Sequence, residues 1–108
     1  MIPDSVVEEI AQGWIDEFSV DPYVVREREM SAWFKLDDLI GNDPHAALRV
    51  FERIAQKDLI NWTFEGIAVG PLRSFLMTHG DRYQAEIGLI RSRNSDFDGM
   101  HKLAVEGL

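Results

Sequence analysis

Apolar side chains recur along the chain at intervals of three and four residues, the spacing that places them on one face of an α-helix. The first such stretch runs from Ser5 to Phe18, with polar residues on the opposite face. Ser5 and Glu8 have the spacing of a capping box, and Asp4 is a competing N-cap. The pattern predicts an amphipathic first helix over residues 5–18.

The same spacing, together with residues that start and stop helices, predicts further helical segments downstream. In the third predicted helix, Asp43 is the N-cap and Pro44 the first helical residue. The other predicted segments are about 24–40 with Gly41 as its stop, 59–69, a short helix from Pro71 to Gly80, a helix capped by Asp81 that ends at Arg91 or Arg93, and one that begins at Ser95 and passes Leu103.

No segment alternates apolar and polar residues with the period of a β-strand, so the fold class is predicted to be all-α. Connections of two to four residues favour antiparallel packing of neighbouring helices. A chain of 108 residues builds one hydrophobic core. We therefore expect residues 1–108 to form a single compact bundle of five to six short antiparallel helices, with a geometry similar to that of helical repeats.

The dipeptide Gly70-Pro71 interrupts the helical pattern and predicts a break between two helices, whose angle would bury Leu72. A requirement of Gly70 for positive φ is one possible reason for the glycine. His79 precedes Gly80, and its imidazole is predicted to cap the last carbonyl groups of its own helix.

Composition is that of a globular domain, with 45% hydrophobic and 28% charged residues. The absence of cysteine excludes disulfides, thiolate metal sites and a cysteine nucleophile, and favours a reducing compartment. The first residues lack the basic and apolar regions of a signal peptide, and no stretch approaches the ~20 apolar residues of a membrane span. We expect a cytoplasmic protein that does not bind membranes.

Charge is distributed unevenly. The net charge is −8, which opposes direct binding to nucleic acid, and residues 1–25 contain six acids and no Lys or Arg. One interpretation is a solvated helix face that favours the helix dipole. The other is a docking surface for a basic protein partner, formed by Glu8, Glu9, Asp16 and Glu17. Three cations, Arg82, Arg91 and Arg93, are predicted to pair with these acids within one molecule or between copies.

Tryptophan is more often a core residue than a binding residue, and Trp14 and Trp33 lie on predicted apolar faces. Trp62 lies on the side of its predicted helix away from the apolar residues and beside Glu65. Two interpretations remain open for Trp62, a core position and an exposed anchor for a partner.

Candidate catalytic and metal-binding residues are scarce. The three histidines, His45, His79 and His101, lie in different predicted segments without the spacing of a metal site, so no metal and no cofactor is expected. Neighbouring acids such as Asp37 and Asp38 point about 100° apart on a helix and cannot act together on one substrate. No nucleophile elbow, phosphate loop or dinucleotide fingerprint occurs. We expect no enzymatic activity.

The stretch from Trp33 to Leu103 resembles a family of small bacterial proteins of unknown function. The resemblance is carried by Asp43-Pro44, by Gly70-Pro71-Leu72 and by His79-Gly80. It implies a compact helical domain from a bacterium or a bacterial mobile element, and it implies no activity. The family has a glutamate after Gly-Pro-Leu, whereas Arg73 stands here, so any role of that carboxylate does not carry over.

These observations favour a non-enzymatic, acidic protein-binding module. An immunity protein, an antitoxin or a phage inhibitor of a bacterial defence complex would act in this way, by covering a basic surface of its partner. The alternative is a homo-oligomeric structural or scaffold domain whose acidic helix maintains solubility. A third possibility is an enzyme whose site is assembled from dispersed residues.

Overall fold

A computed structural model of the protein describes residues 2–18, 31–59 and 61–108, apart from the side chains of Ser31, Ala32 and Trp62. Nearly all of this part of the chain is helical, and it contains no strand. Its elements are α1 (Asp4–Phe18), α2 (Ser31–Asn42), α3 (Pro44–Ala55), α4 (Asn61–Ile67), a π-helical segment (Ala68–Leu72), α5 (Arg73–His79), α6 (Gln84–Arg93) and α7 (Ser95–Val105).

The π-helical segment joins α4 and α5 without interruption, so residues 61–79 form one helix, which we call the long helix. Counted in this way, the described residues form six helices. The prediction of an all-α bundle of five to six helices is confirmed.

Helix starts follow local capping chemistry, although not always at the predicted residue. Asp43 caps α3 as predicted, since its Oδ1 accepts a hydrogen bond from the Ala46 backbone N–H at 3.2 Å. Helix α7 begins at Ser95, and its cap is Asn94, which has extended backbone angles and whose Oδ1 accepts from Phe97 N–H at 3.0 Å.

Other predicted boundaries shift by one to three residues. Helix α1 begins at Asp4, so Ser5 lies inside the helix and does not cap it. Helix α2 continues through Gly41 to Asn42, and its predicted beginning near residue 24 lies outside the described residues. Tyr83, and not Asp81, directly precedes α6.

The predicted break at Gly70-Pro71 is wrong. Proline has no N–H for the carbonyl of Ile67, and in an α-helix its ring would collide with that carbonyl. The chain avoids both problems by widening into a π-helical turn, in which Arg73 N–H donates to the carbonyl of Ala68, five residues earlier. The helix therefore accommodates Pro71 instead of ending there.

Gly70 permits close packing and does not adopt an unusual backbone conformation. No residue in the described part of the chain has positive φ. A Cβ atom on Gly70 would lie 3.2 Å from Cη2 of Trp33, tighter than ordinary van der Waals contact. The glycine thus lets the indole of α2 lie directly against the long helix.

One hydrophobic core is formed by the buried faces of the helices. Helix α1 contributes Trp14 and α3 contributes Phe51, both fully buried. Leu72 of the long helix is fully buried, as predicted; Phe75 is also fully buried, and Leu76 is partly buried. The π-helical segment and α5 are therefore integral to the core.

Leu72→Ala should reduce the free energy of unfolding by about 2–5 kcal/mol, because it leaves a cavity in a fully buried site. The matched control is Met77→Ala on the same helix, where the side chain is 73% exposed and the change should be within about 0.5 kcal/mol. Both are measured by urea unfolding. Equal stabilities of the two variants would contradict the assigned core.

Candidate functional site

The acids of α1 differ in their contacts. Asp4 and Glu8 bind cations of α3 and of the segment after it, whereas Glu9 and Asp16, which we call the outer acids, do not. The carboxylate of Glu8 accepts a hydrogen bond from Lys57 Nζ at 2.5 Å and lies 3.4 Å from Arg53 Nε. The hydrogen bond from Lys57 is the main reason that the pKa of Glu8 is lowered. Asp4 forms an ion pair with Arg49. These contacts hold α1 beside α3, with the two helices running in the same direction.

The outer acids face solvent. Glu9 is exposed and has no ion-pair or hydrogen-bond partner among the described residues, while exposed Asp16 accepts a hydrogen bond from Gln12 at 2.9 Å. Glu17 is half-buried. Of the four predicted docking residues, Glu9 and Asp16 are thus the ones that present their carboxylates outward, whereas Glu8 is engaged with α3.

Within the molecule, Asp4 and Glu8 of α1 pair with Arg49, Arg53 and Lys57, whereas Arg91 and Arg93 pair with acids of other helices. The pairing of α1 with Arg82, Arg91 and Arg93 between copies stays a prediction. Arg91 Nε donates to Asp98 Oδ1 at 2.6 Å, and Arg93 makes two hydrogen bonds to the carboxylate of Glu52, at 2.6 and 2.7 Å. These contacts close the α6–α7 hairpin and tie α6 to α3.

Most cationic side chains in the described part of the chain are engaged within the molecule. Lys102 Nζ lies 3.2 Å from Asp98 Oδ2, and Arg73 donates to backbone carbonyl groups. The engaged cations are Arg49, Arg53, Lys57, Arg73, Arg91, Arg93 and Lys102. Of the described cations, only Lys35 and Arg82 lack a partner. Charges that remain free on this surface are therefore mainly negative.

His79 caps a helix, but not the one predicted. Its Nε2 lies 2.7 Å from the carbonyl oxygen of Ile40 in the last turn of α2, so with the proton on Nε2 it donates to that carbonyl. The ring also packs between Phe75 and Tyr83, with centroid distances of 5.4 and 6.2 Å. His79 therefore has a structural role, across the bundle instead of within its own helix.

Arg73 has a role that a glutamate could not fill. Its Nε donates to the carbonyl of Ala104 at 3.0 Å, and a terminal nitrogen donates to the carbonyl of Leu103 at 3.4 Å. A Cβ atom on Gly107 would overlap the guanidinium of Arg73, so a side chain at this position would displace the guanidinium. Arg73 thereby satisfies free carbonyl groups at the end of α7.

The long helix also caps α1. Thr63, fully buried, donates from its hydroxyl to the carbonyl of Phe18 at 2.9 Å. Thr63, Arg73 and His79 thus bind the C-terminal turns of α1, α7 and α2 respectively. Sequence reasoning missed the roles of Thr63 and Arg73, since neither residue has a local signal for a partner so distant along the chain.

A cleft with a volume of about 430 Å³ lies between α5, α6 and α7. His101 and Arg91 are on its wall. Nδ1 of His101 is buried without a hydrogen-bond partner. Burial, and secondly the charge of Arg91, lowers the pKa of His101. His45 is exposed and contacts Glu86 at 2.6 Å. No group of three or more His, Asp or Glu in the described ranges could hold a metal ion.

A smaller cavity of about 140 Å³ lies between α2 and the long helix. Half-buried Trp33 and exposed Asp37 form its α2 wall, and Gly70, Pro71 and Ser74 form the other side. The cavity was not anticipated from the sequence, because it requires α2 and the π-helical segment to lie side by side. The side chain of Trp62, the other predicted anchor, is outside the described residues.

None of the helices in the described part of the chain has the length and apolar content of a membrane span. The chain matches none of the protein-family models, curated proteins or solved structures with which it was compared. The resemblance based on Gly70-Pro71-Leu72 and His79-Gly80 therefore stays a prediction.

Arg73→Glu, which introduces the residue expected from the resemblance, should lower the free energy of unfolding by about 1–3 kcal/mol because it leaves carbonyl groups of α7 without their donor. Arg82→Glu is the matched control, since Arg82 is exposed and unpaired within the described chain. Unfolding by urea compares the two. If Arg73→Glu is as stable as the control, the cap on α7 does not contribute.

The lowered pKa of His101 makes folding stability pH-dependent. The folded protein binds this proton less readily than the unfolded chain, so stability is complete above about pH 6.5, the ordinary histidine value, and falls as the pH decreases below it. His101→Leu should show a smaller decrease in melting temperature between pH 7 and pH 5. An unchanged pH dependence in this variant would contradict the assignment.

Proposed function

We propose that the protein is a non-enzymatic module that binds a protein partner with a basic surface through the outer acids of α1. The observation that supports this is the internal pairing of most described cations, which leaves Glu9 and Asp16 exposed without a cationic partner. Unpaired acids on a rigid helix attract a basic surface and repel phosphate groups. Direct nucleic-acid binding is accordingly not part of the proposal.

Different acids of α1 serve the stability of the fold and the binding of the partner. Asp4 and Glu8 hold α1 against α3, so the helix that presents Glu9 and Asp16 is fixed in orientation. A surface that does not rearrange on association loses less conformational entropy, which favours affinity. The acids themselves would mainly increase the association rate, by steering the partner during approach.

The biological role that we propose is inhibition, in the cytoplasm, by covering a basic surface of the partner. Immunity proteins, antitoxins and phage inhibitors of bacterial defence complexes are classes that act in this way. The total charge of −8 suits a protein that competes with nucleic acid for a positively charged groove.

Reversal of both outer acids, Glu9→Lys with Asp16→Lys, should leave the fold and melting temperature nearly unchanged and should slow association with the partner about tenfold or more at low salt. The matched control is Glu65→Lys with Glu106→Lys, which changes the net charge equally at exposed acids elsewhere. The partner is first captured from a bacterial lysate by the immobilised protein and identified; association rates are then measured.

Salt provides an internal check on this experiment. The difference between wild type and the α1 variant should vanish near 1 M salt, where the Debye length is only about 3 Å. Equal loss of association in both double variants would mean that net charge alone acts. Unchanged association in the α1 variant would reject α1 as the docking surface.

The second candidate is a homo-oligomeric scaffold domain, which is favoured by three exposed apolar side chains. Phe34, Met77 and Leu89 are 67, 73 and 62% exposed. Exposed apolar side chains of this size are compatible with an interface between copies. Sedimentation of the purified protein distinguishes the two proposals, because a self-associating scaffold gives a concentration-dependent mass and an inhibitor module does not require one.

A further inference from the structure

The cavity between α2 and the long helix combines an apolar interior with a carboxylate at its edge. Its volume, about 140 Å³, suits one long side chain rather than a helix or a small-molecule cofactor. Trp33 of α2 packs against Gly70, and the carbonyl group of Ile40, one helical stretch later, is hydrogen-bonded to His79. Helix α2 and the long helix therefore run in the same direction along the cavity. Its lining residues are Trp33, Asp37, Ile40, Gly70, Pro71 and Ser74.

Three of these residues form apolar walls. Ile40 is 5% exposed, Pro71 is buried, and the indole of Trp33 is half-buried. Because Gly70 has no side chain, one edge of the indole packs directly on the backbone of the long helix, and the centroid of its ring lies 6.0 Å from that of Phe18. An aromatic ring at the edge of an apolar cavity is suited to contact with a cation.

The polar groups of the cavity define which side chain it takes. Asp37 is exposed and has no ion-pair or hydrogen-bond partner in the described residues, and Ser74 adds a hydroxyl on the opposite side. Lys35, the nearest cation along α2, is two residues away from Asp37 and therefore does not face the same side of the helix. Among the described residues, no cation therefore pairs with this carboxylate.

We propose that this cavity receives an arginine side chain of the protein partner. The methylene groups would lie against Ile40 and Pro71, and the guanidinium would stack on Trp33 and pair with Asp37. Arginine fits better than lysine because its planar, weakly hydrated guanidinium stacks on aromatic rings and binds carboxylates through two donors. The inference rests on the proposed function and adds a specific contact site to it.

An apolar anchor would fit this cavity less well. A leucine or phenylalanine from the partner would cover Asp37 and leave its carboxylate removed from water without a compensating charge, which is unfavourable. An arginine satisfies the carboxylate and fills the apolar interior with its methylene groups. Charge complementarity therefore selects the occupant.

The test uses short capped peptides that contain one arginine, one lysine or one citrulline between glycines. Binding is followed by the NMR signal of the Trp33 indole N–H, assigned by its loss in Trp33→Phe. The arginine peptide should shift this signal in a saturable manner, lysine should bind more weakly, and citrulline, which has nearly the shape of arginine but no charge, should not bind. Equal binding of citrulline and arginine would overturn the proposal.

Two variants locate the contact. Asp37→Asn should weaken binding of the arginine peptide about fivefold to tenfold, as expected for loss of one charge contact beside an aromatic ring. Asp38→Asn is the matched control, because Asp38 is the adjacent exposed carboxylate but lies about 100° around α2 and outside the cavity. Both replacements are at exposed positions, so both variants should fold, which melting temperatures verify.

The outcomes separate this inference from the proposed function. If Asp37→Asn and Asp38→Asn bind the arginine peptide equally, the cavity is not the site, and the proposed function is then decided by Glu9 and Asp16 alone. If the peptide requires Asp37 but reversal of Glu9 and Asp16 does not slow the captured partner, the arginine site is supported and steering by α1 is rejected.

Discussion

The arrangement of the bundle depends on hydrogen bonds from side chains of the long helix to the carbonyl groups at the ends of three other helices. Thr63, Arg73 and His79 donate to the last turns of α1, α7 and α2. The last turn of any helix leaves carbonyl groups without intrahelical partners, and groups buried without a partner are costly. The long helix therefore contributes both a buried face to the core and hydrogen-bond donors to the carbonyl groups of its neighbours.

The packing of the helices determines which charged side chains are paired within the molecule and which remain free at its surface. The cations of α3 and α6, and Lys57 just after α3, are used in ion pairs between helices, as in the pairs Lys57–Glu8 and Arg93–Glu52. Each pair at the surface contributes little stability, yet each removes a cation from the set available to a partner. Glu9 and Asp16 on α1 and Asp37 on α2 are among the exposed acids that have no cationic partner in the described residues. Which charges remain free at the surface is thus a consequence of which ion pairs form between helices.

The positions of the helices can be predicted well from the sequence, because hydrophobic periodicity and helix capping involve only residues that are close along the chain. The Asp43-Pro44 start needs only residues within one turn, and it is found where predicted. The partner of His79 is 39 residues away, and Glu8 binds a cation 49 residues away, so neither contact has a local signal. The sequence shows that an imidazole or carboxylate can bind, but only the packing shows which segment lies opposite.

The acids of α1 illustrate the same limit of prediction from the sequence. Glu8 and Glu9 are adjacent and chemically alike, yet one is tied to α3 and the other faces solvent, because successive residues point about 100° apart on a helix. The role of Gly70 could not be predicted from the sequence either, because it depends on packing against the indole of Trp33 in another helix. Composition predicts an acidic surface, and the fold decides which acids form it.

The π-helical turn at Ala68–Leu72 makes the winding of the long helix a constraint on the whole bundle. The turn holds one residue more than an α-helical turn, and this sets the rotation of α5 relative to α4. If the same residues were wound as a regular α-helix, everything beyond the turn would rotate by about 100°. Arg73 and His79 would then leave α7 and α2 together, while Thr63 stayed on α1. One wide turn thereby sets the angular position of every side chain in the second half of the long helix.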